Sequence, residues 1–122
     1  MPHDTEFEDR GVLWRFFGEV NFAEIMEVNR EVWESGNWDR CRYQIVNFLG
    51  VDSLDLCDDQ AIAVAYIDKA ASQTVSQMKV AIVADRSDVV ELCEAYIASL
   101  NTEGWEARIF DNMAAAAVWA KS

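Results

Sequence analysis
Seven residues constrain the fold of this chain more than any others: Lys79-Val80-Ala81-Ile82-Val83-Ala84-Asp85. Apolar side chains occupy both parities of this run, so a strand built from it must be covered on both faces. That is the condition of a parallel strand inside an α/β sheet rather than of a half-wet antiparallel one. A helix signal follows at Ser87, which reads as its cap. Val89, Leu92, Cys93, Tyr96, Ile97 and Leu100 then recur at helical spacing.

The rest of the chain alternates in the same way. Gly11 to Gly18 reads as a strand, with Val12, Trp14 and Phe16 on one face and Leu13, Arg15 and Phe17 on the other. Thr5 to Glu8 offers a short partner strand. Asn21 starts a helix, with Glu24 three residues on as in a capping box, and Gly36 supplies its left-handed end. Cys41 to Leu49 reads as the next strand, Gly50 to Cys57 as a loop, and Asp58 to Ser72 as a second, Ala-rich helix. Met78 to Ala84 is the central strand, and Asn101 to Gly104 ends the helix after it. Trp105 to Phe110 is a last strand, and Asp111 or Asn112 caps a short helix from Met113 to Ala120. Strands alternating with helices predict an α/β fold with a mostly parallel sheet and right-handed crossovers. Residues 1–122 are expected to form one domain.

Composition narrows the function classes. Apolar residues make up 52% of the 122, enough to build one core. A net charge of −12 repels phosphate backbones and anionic bilayers, which argues against nucleic acid and against membrane surfaces. No apolar run approaches the ~20 residues of a spanning helix, so no stable membrane insertion is expected. The acidic start has no signal-peptide pattern. Cys41, Cys57 and Cys93 are odd in number and unpaired by motif, which fits reduced thiols in a cytoplasmic protein.

Several segments carry a likeness to a known family. They are Lys79 to Asp85 with the helix after it, Glu106-Ala107-Arg108-Ile109-Phe110-Asp111, and Ala114-Ala115-Ala116-Ala117-Val118-Trp119. The opening Gly11-Val12-Leu13-Trp14-Arg15-Phe16-Phe17-Gly18-Glu19-Val20-Asn21 belongs with them. Together they resemble the SpoIIAA-like family, small bacterial proteins related to STAS domains, over nearly the whole chain. The resemblance implies a mixed sheet of four to five strands with about four helices, mainly on one face. It also implies a non-enzymatic binding or regulatory role through protein contacts. The fold's similarity to Sec14-type lipid carriers implies a second reading, a carrier of a small apolar ligand. In signalling STAS domains a phosphorylated Ser follows an Asp at the start of the second helix. Here Asp55 takes the Asp position and Leu56 stands where the Ser should be, which puts a phosphorylation cycle in doubt unless Ser53 substitutes.

Read residue by residue, the chain carries little catalytic chemistry. His3 is the single histidine and lies in what reads as a frayed terminus, so histidine triads and histidine metal sites are not expected. None of the five glycines forms a GxGxxG or P-loop, so no nucleotide cofactor is expected. Ser53, Asp55, Leu56, Cys57, Asp58 and Asp59 form the candidate protein-interaction loop. The acids Asp58 and Asp59 complement a helix dipole, which is preferred here to a metal site or a carboxylate-only enzyme using Asp55. Asp68 shares a helical side with Ala61, Val64, Ala65 and Ser72; a buried carboxyl of raised pKa is one reading, and a side facing solvent, with Ile62 and Tyr66 toward the core, is preferred. Asn29 falls inside the first helix's apolar stripe, and the wet end of that stripe is preferred to a place lining a pocket. Trp14, Trp33 and Trp38 are the candidate pocket or interface aromatics, Trp38 being the one expected at the surface. A homodimer is the expected assembly.

Overall fold
The structure, a computed structural model, describes residues 3–122. In chain order it runs β1 (His3–Glu8), β2 (Gly11–Asn21), α1 (Phe22–Glu34), β3 (Tyr43–Asp55) and α2 (Asp58–Ala71). It continues with β4 (Met78–Val83), α3 (Ser87–Leu100), β5 (Trp105–Phe110) and α4 (Met113–Ala120). The sheet is ordered β1-β2-β3-β4-β5. β1 is antiparallel to β2, and every later pair is parallel.

β4 lies inside the sheet between β3 and β5, and it is dry on both faces: Val80 and Ile82 on one, Ala81 and Val83 on the other, all at most 4% exposed. The alternation of β2 sorts as its sequence reads. Val12, Trp14 and Phe16 join Val80 and Ile82 beneath α1, α2 and α3. Leu13 joins Tyr43, Ile45, Ala81 and Val83 beneath α4. Helices therefore cover mainly one face, with α4 alone on the other. Its Ala116 and Ala120 are buried, and their small side chains let the helix lie close on the sheet.

Local signals fix most boundaries. Asn21 Oδ1 accepts from Glu24 N at 3.1 Å and caps α1. Asn112 Oδ1 accepts from Ala115 N at 2.8 Å and caps α4. Arg86, not Ser87, is the N-cap of α3. Gly104 holds φ +88°, and a Cβ there would sit 2.0 Å from the Ser76 carbonyl oxygen, so only glycine fits the turn into β5.

One segment departs from its sequence reading. The expected loop Gly50–Cys57 is strand as far as Asp55. Residues Gly50 to Asp55 pair with Phe17 to Asn21 of an equally lengthened β2, beyond the end of β4. Gly50, Asp52 and Ser53 are poor strand formers, but β2 presents an open edge of main-chain groups, and pairing satisfies them. Val51 anchors the extension at 3% exposure.

Candidate functional site
The face of the sheet under α1, α2 and α3 is built from large side chains: Trp14 and Phe16 on β2, Gln44, Val46 and Phe48 on β3, Val80 and Ile82 on β4. Phe16 and Phe48 stack with ring centroids 5.2 Å apart. α2 presents Ala61, Ala65 and Asp68 inward, spaced one helical turn apart. Alanines cannot fill the space above aromatic rings. α2 also packs on α3, while α1 contacts β2 and not these two helices to a comparable extent. The result is a cavity of about 90 Å³ between the sheet and the three helices. A single water needs only ~10–15 Å³, so there is room for several waters or one small organic molecule.

The half-buried members of the wall, apart from Val46 in the first part of β3, cluster at one end. Ile25, Leu54, Leu56, Val64 and Leu92 line the cavity yet reach solvent. They lie near the carboxyl end of β3 and in the N-terminal halves of α1, α2 and α3. The opening is therefore at the end of the sheet where open α/β folds place their ligands.

Five polar side chains stand in this mainly apolar wall: Trp14, Asn29, Gln44 and Asp68, each at most 6% exposed, and Tyr96 at 8%. Tyr96 donates its hydroxyl to Asp68 Oδ2 at 2.5 Å. Burial pushes the Asp68 carboxyl up to about 7, against the opposing pull of that hydrogen bond. Burial also raises Tyr96, and it pushes the Cys93 thiol up to about 12, so Cys93 stays a neutral thiol. Among the described residues, Trp14 Nε1 and Asn29 Nδ2 are the buried side-chain nitrogens left without any hydrogen-bond partner. Native interiors rarely leave such donors unpaired, since each costs ~1–3 kcal/mol.

Three sequence readings are corrected here. Asn29 is not at a wet stripe end; it lies in the cavity wall. Asp68 faces inward, and Tyr66, expected in the core, is 60% exposed. His3 is not a frayed residue. Its Nδ1 meets Glu24 Oε2 at 2.8 Å and its Nε2 meets Glu31 Oε1 at 2.6 Å, while Thr5 donates to Glu31 Oε2 at 2.7 Å. These bonds strap β1 to α1. The signal for Asn29 and Asp68 was present: each breaks an apolar stripe. Which side of the stripe met protein depended on the packing of α2.

The other candidates lie apart from the polar wall. Ser53 and Asp55 belong to β3, Cys57 is the N-cap of α2, and Asp58 and Asp59 form its first turn. Asp55, Cys57, Asp58 and Asp59 are exposed, Ser53 is half-buried, and Leu56 lines the cavity. No serine stands at the start of α2; Ser53 is paired in the strand opposite Glu19. Trp33 and Trp38 form an edge-to-face pair at 6.5 Å, and Trp38 packs on Trp105 at 6.4 Å. Trp38 is thus half-buried rather than a surface residue, its indole donating to Thr74 Oγ1 at 3.0 Å. Among the described residues, no group of three His, Cys, Asp or Glu is placed to hold a metal ion, and no helix is long and apolar enough to cross a membrane.

No family model and no curated protein matches this sequence. Solved structures do. The anti-sigma factor antagonist SpoIIAA in its unphosphorylated form superposes with a TM-score of 0.63 over 95% of this chain and 94% of its own, at 11% identity. An uncharacterized DUF3478-family protein with a SpoIIAA-like fold, from Shewanella loihica PV-4, gives 0.56 over 97% and 91%, at 14% identity. The chain therefore has the SpoIIAA-like, STAS-type fold, as its sequence resemblance implied.

Proposed function
We propose that the protein is a non-enzymatic binding module whose occupant is a small, mainly apolar molecule held between the sheet and α1, α2 and α3. The observation that carries this reading is the cavity itself, walled by Trp14, Phe16 and Phe48 and open at the carboxyl end of the strands. The wall supplies apolar contact and a few hydrogen bonds. It pairs no nucleophile with a base, since its one carboxyl, Asp68, is already bonded to Tyr96 and its one thiol, Cys93, is kept protonated by burial. Native mass spectrometry after gentle purification tests the reading. A small molecule retained on the folded chain is expected. An apo mass, together with no thermal shift from any apolar fragment of matching size, would overturn it.

A second reading is favoured by a separate observation. SpoIIAA is an anti-sigma factor antagonist, and here the end of β3 and the start of α2 present Asp55, Cys57, Asp58 and Asp59 to solvent. In this reading these residues, with Ser53 and Leu56, contact a protein partner, Leu56 standing where signalling STAS domains carry their phosphorylated serine. The free thiols Cys41, Cys57 and Cys93 accord with a cytoplasmic setting. Pull-down from native lysate at physiological salt checks it. A partner lost on D58K/D59K substitution supports the reading, and no reproducible partner counts against it.

A further inference from the structure
The two unpaired donors identify what the cavity takes. Trp14 is 1% exposed and Asn29 6% exposed, and both line the same cavity. Trp14 Nε1 and Asn29 Nδ2 find no acceptor in the protein. They come from different elements, β2 and α1, so no single local strain accounts for both. Two desolvated N–H donors in the wall of one cavity call for an acceptor in that space, either ordered water or an oxygen that arrives with a ligand and displaces it.

We infer that the cavity is a site for a compact, uncharged molecule with an apolar body and a carbonyl-type oxygen, which accepts from the Asn29 amide and the Trp14 indole. This deepens the reading of the protein as a small-ligand module and rests on it.

Charge and shape select the class. An anionic ligand would have to enter a protein of net charge −12. Its charge would also lose hydration among Phe16, Val28, Phe48 and Ile82, and two neutral N–H donors do not offset the desolvation of a full charge. A cationic ligand would have to compete with Tyr96 for Asp68, and it would leave both donors unpaired. A pure hydrocarbon would fill the space but seal the donors away from water, at full desolvation cost. A ketone, ester or amide oxygen satisfies the donors without carrying a charge in.

Four molecules that share a phenyl ring and differ in the small group on it separate these cases: acetophenone, ethylbenzene, benzoate and 1-phenylethylamine, each titrated into the ¹⁵N-labelled full chain and followed by amide shifts. Acetophenone is expected to bind about tenfold more tightly than ethylbenzene. That advantage should shrink to threefold or less in N29L and in W14F, each of which removes one donor. N29L should also melt higher than the parent, because it removes a buried, unpaired amide; if it fails to fold, W14F carries the comparison. Equal binding of ethylbenzene and acetophenone would overturn the acceptor inference and leave the apolar-ligand reading standing. Tightest binding of benzoate or the amine would overturn the neutrality of the ligand. No shift at cavity residues with any of the four would sink both readings.

Discussion
Asp68 and His3 are both titratable groups that folding moves away from their ordinary values, and each leaves a separate mark on stability. The Asp68 carboxyl, normally near 3.8, is pushed up to about 7 by burial. The folded chain therefore keeps a proton that the unfolded chain releases across that interval. Its contribution is full below about pH 4, declines as pH rises toward 7, and is constant above, a loss on the order of 4 kcal/mol. The D68N chain should lack this decline, so its melting temperature should overtake that of the parent between pH 4.5 and 7.5. A difference between the two curves that does not change with pH would contradict the buried, protonated carboxyl. For His3, burial opposes the imidazolium, but hydrogen bonds and negative charge from Glu31 and Glu24 outweigh it and raise the pKa above 6.5. The stabilisation it brings is present in full below pH 6.5 and is lost as pH climbs through the raised value. Because it is the only histidine, its pair of ring-proton signals is unambiguous in NMR. A titration midpoint at or below 6.5 would refute the strap between β1 and α1.

At the scale of elements, the consequential choice is the one that separates α2 from its neighbours. α1 and α3 drive valines, a tyrosine and a leucine into the core, whereas α2 buries Ala61, Ala65 and Asp68. Small residues over large rings make a cavity, so the pocket follows from a mismatch in volume between layers. β4 tolerates no such looseness. Ile82→Asp puts an unpaired charge into a strand that is dry on both faces, at a cost of several kcal/mol, and should abolish folding. A folded variant with an unchanged melting temperature would refute the interior position of β4. The turn before β5 is equally specific. Gly104→Ala meets both the positive φ and the Ser76 carbonyl, and should lower stability by more than about 1 kcal/mol, read as a reduced urea midpoint at unchanged slope. An unshifted midpoint would contradict the geometry of that turn.

For the molecule as a whole, the net charge of −12 acts over every element at once. Self-repulsion disfavours the compact state, and salt screens it. The melting temperature should rise between low salt and about 0.5 M NaCl, where the screening length falls to a few ångströms. A midpoint that falls instead would mean that attractive ion pairs outweigh the repulsion. The exposed pairs, such as Arg30 with Glu27 and Glu34, are too solvated to contribute much.

The sequence by itself determined whatever is settled within a few residues. The doubly apolar run of β4, the two faces of β2, the caps Asn21 and Asn112 and the glycine turn at Gly104 are all local or strictly periodic, and each lies where the pattern puts it. Only the tertiary structure decided the rest. Gly50 to Asp55 became strand because β2, thirty-odd residues earlier in the chain, offered an edge to pair with. His3 became buried because Glu24 and Glu31 wait on α1, and Asp68 because Tyr96 lies on α3. The cavity belongs to no segment at all. It is the space left when six elements are brought together by their own best contacts, and neither spacing nor composition records a space.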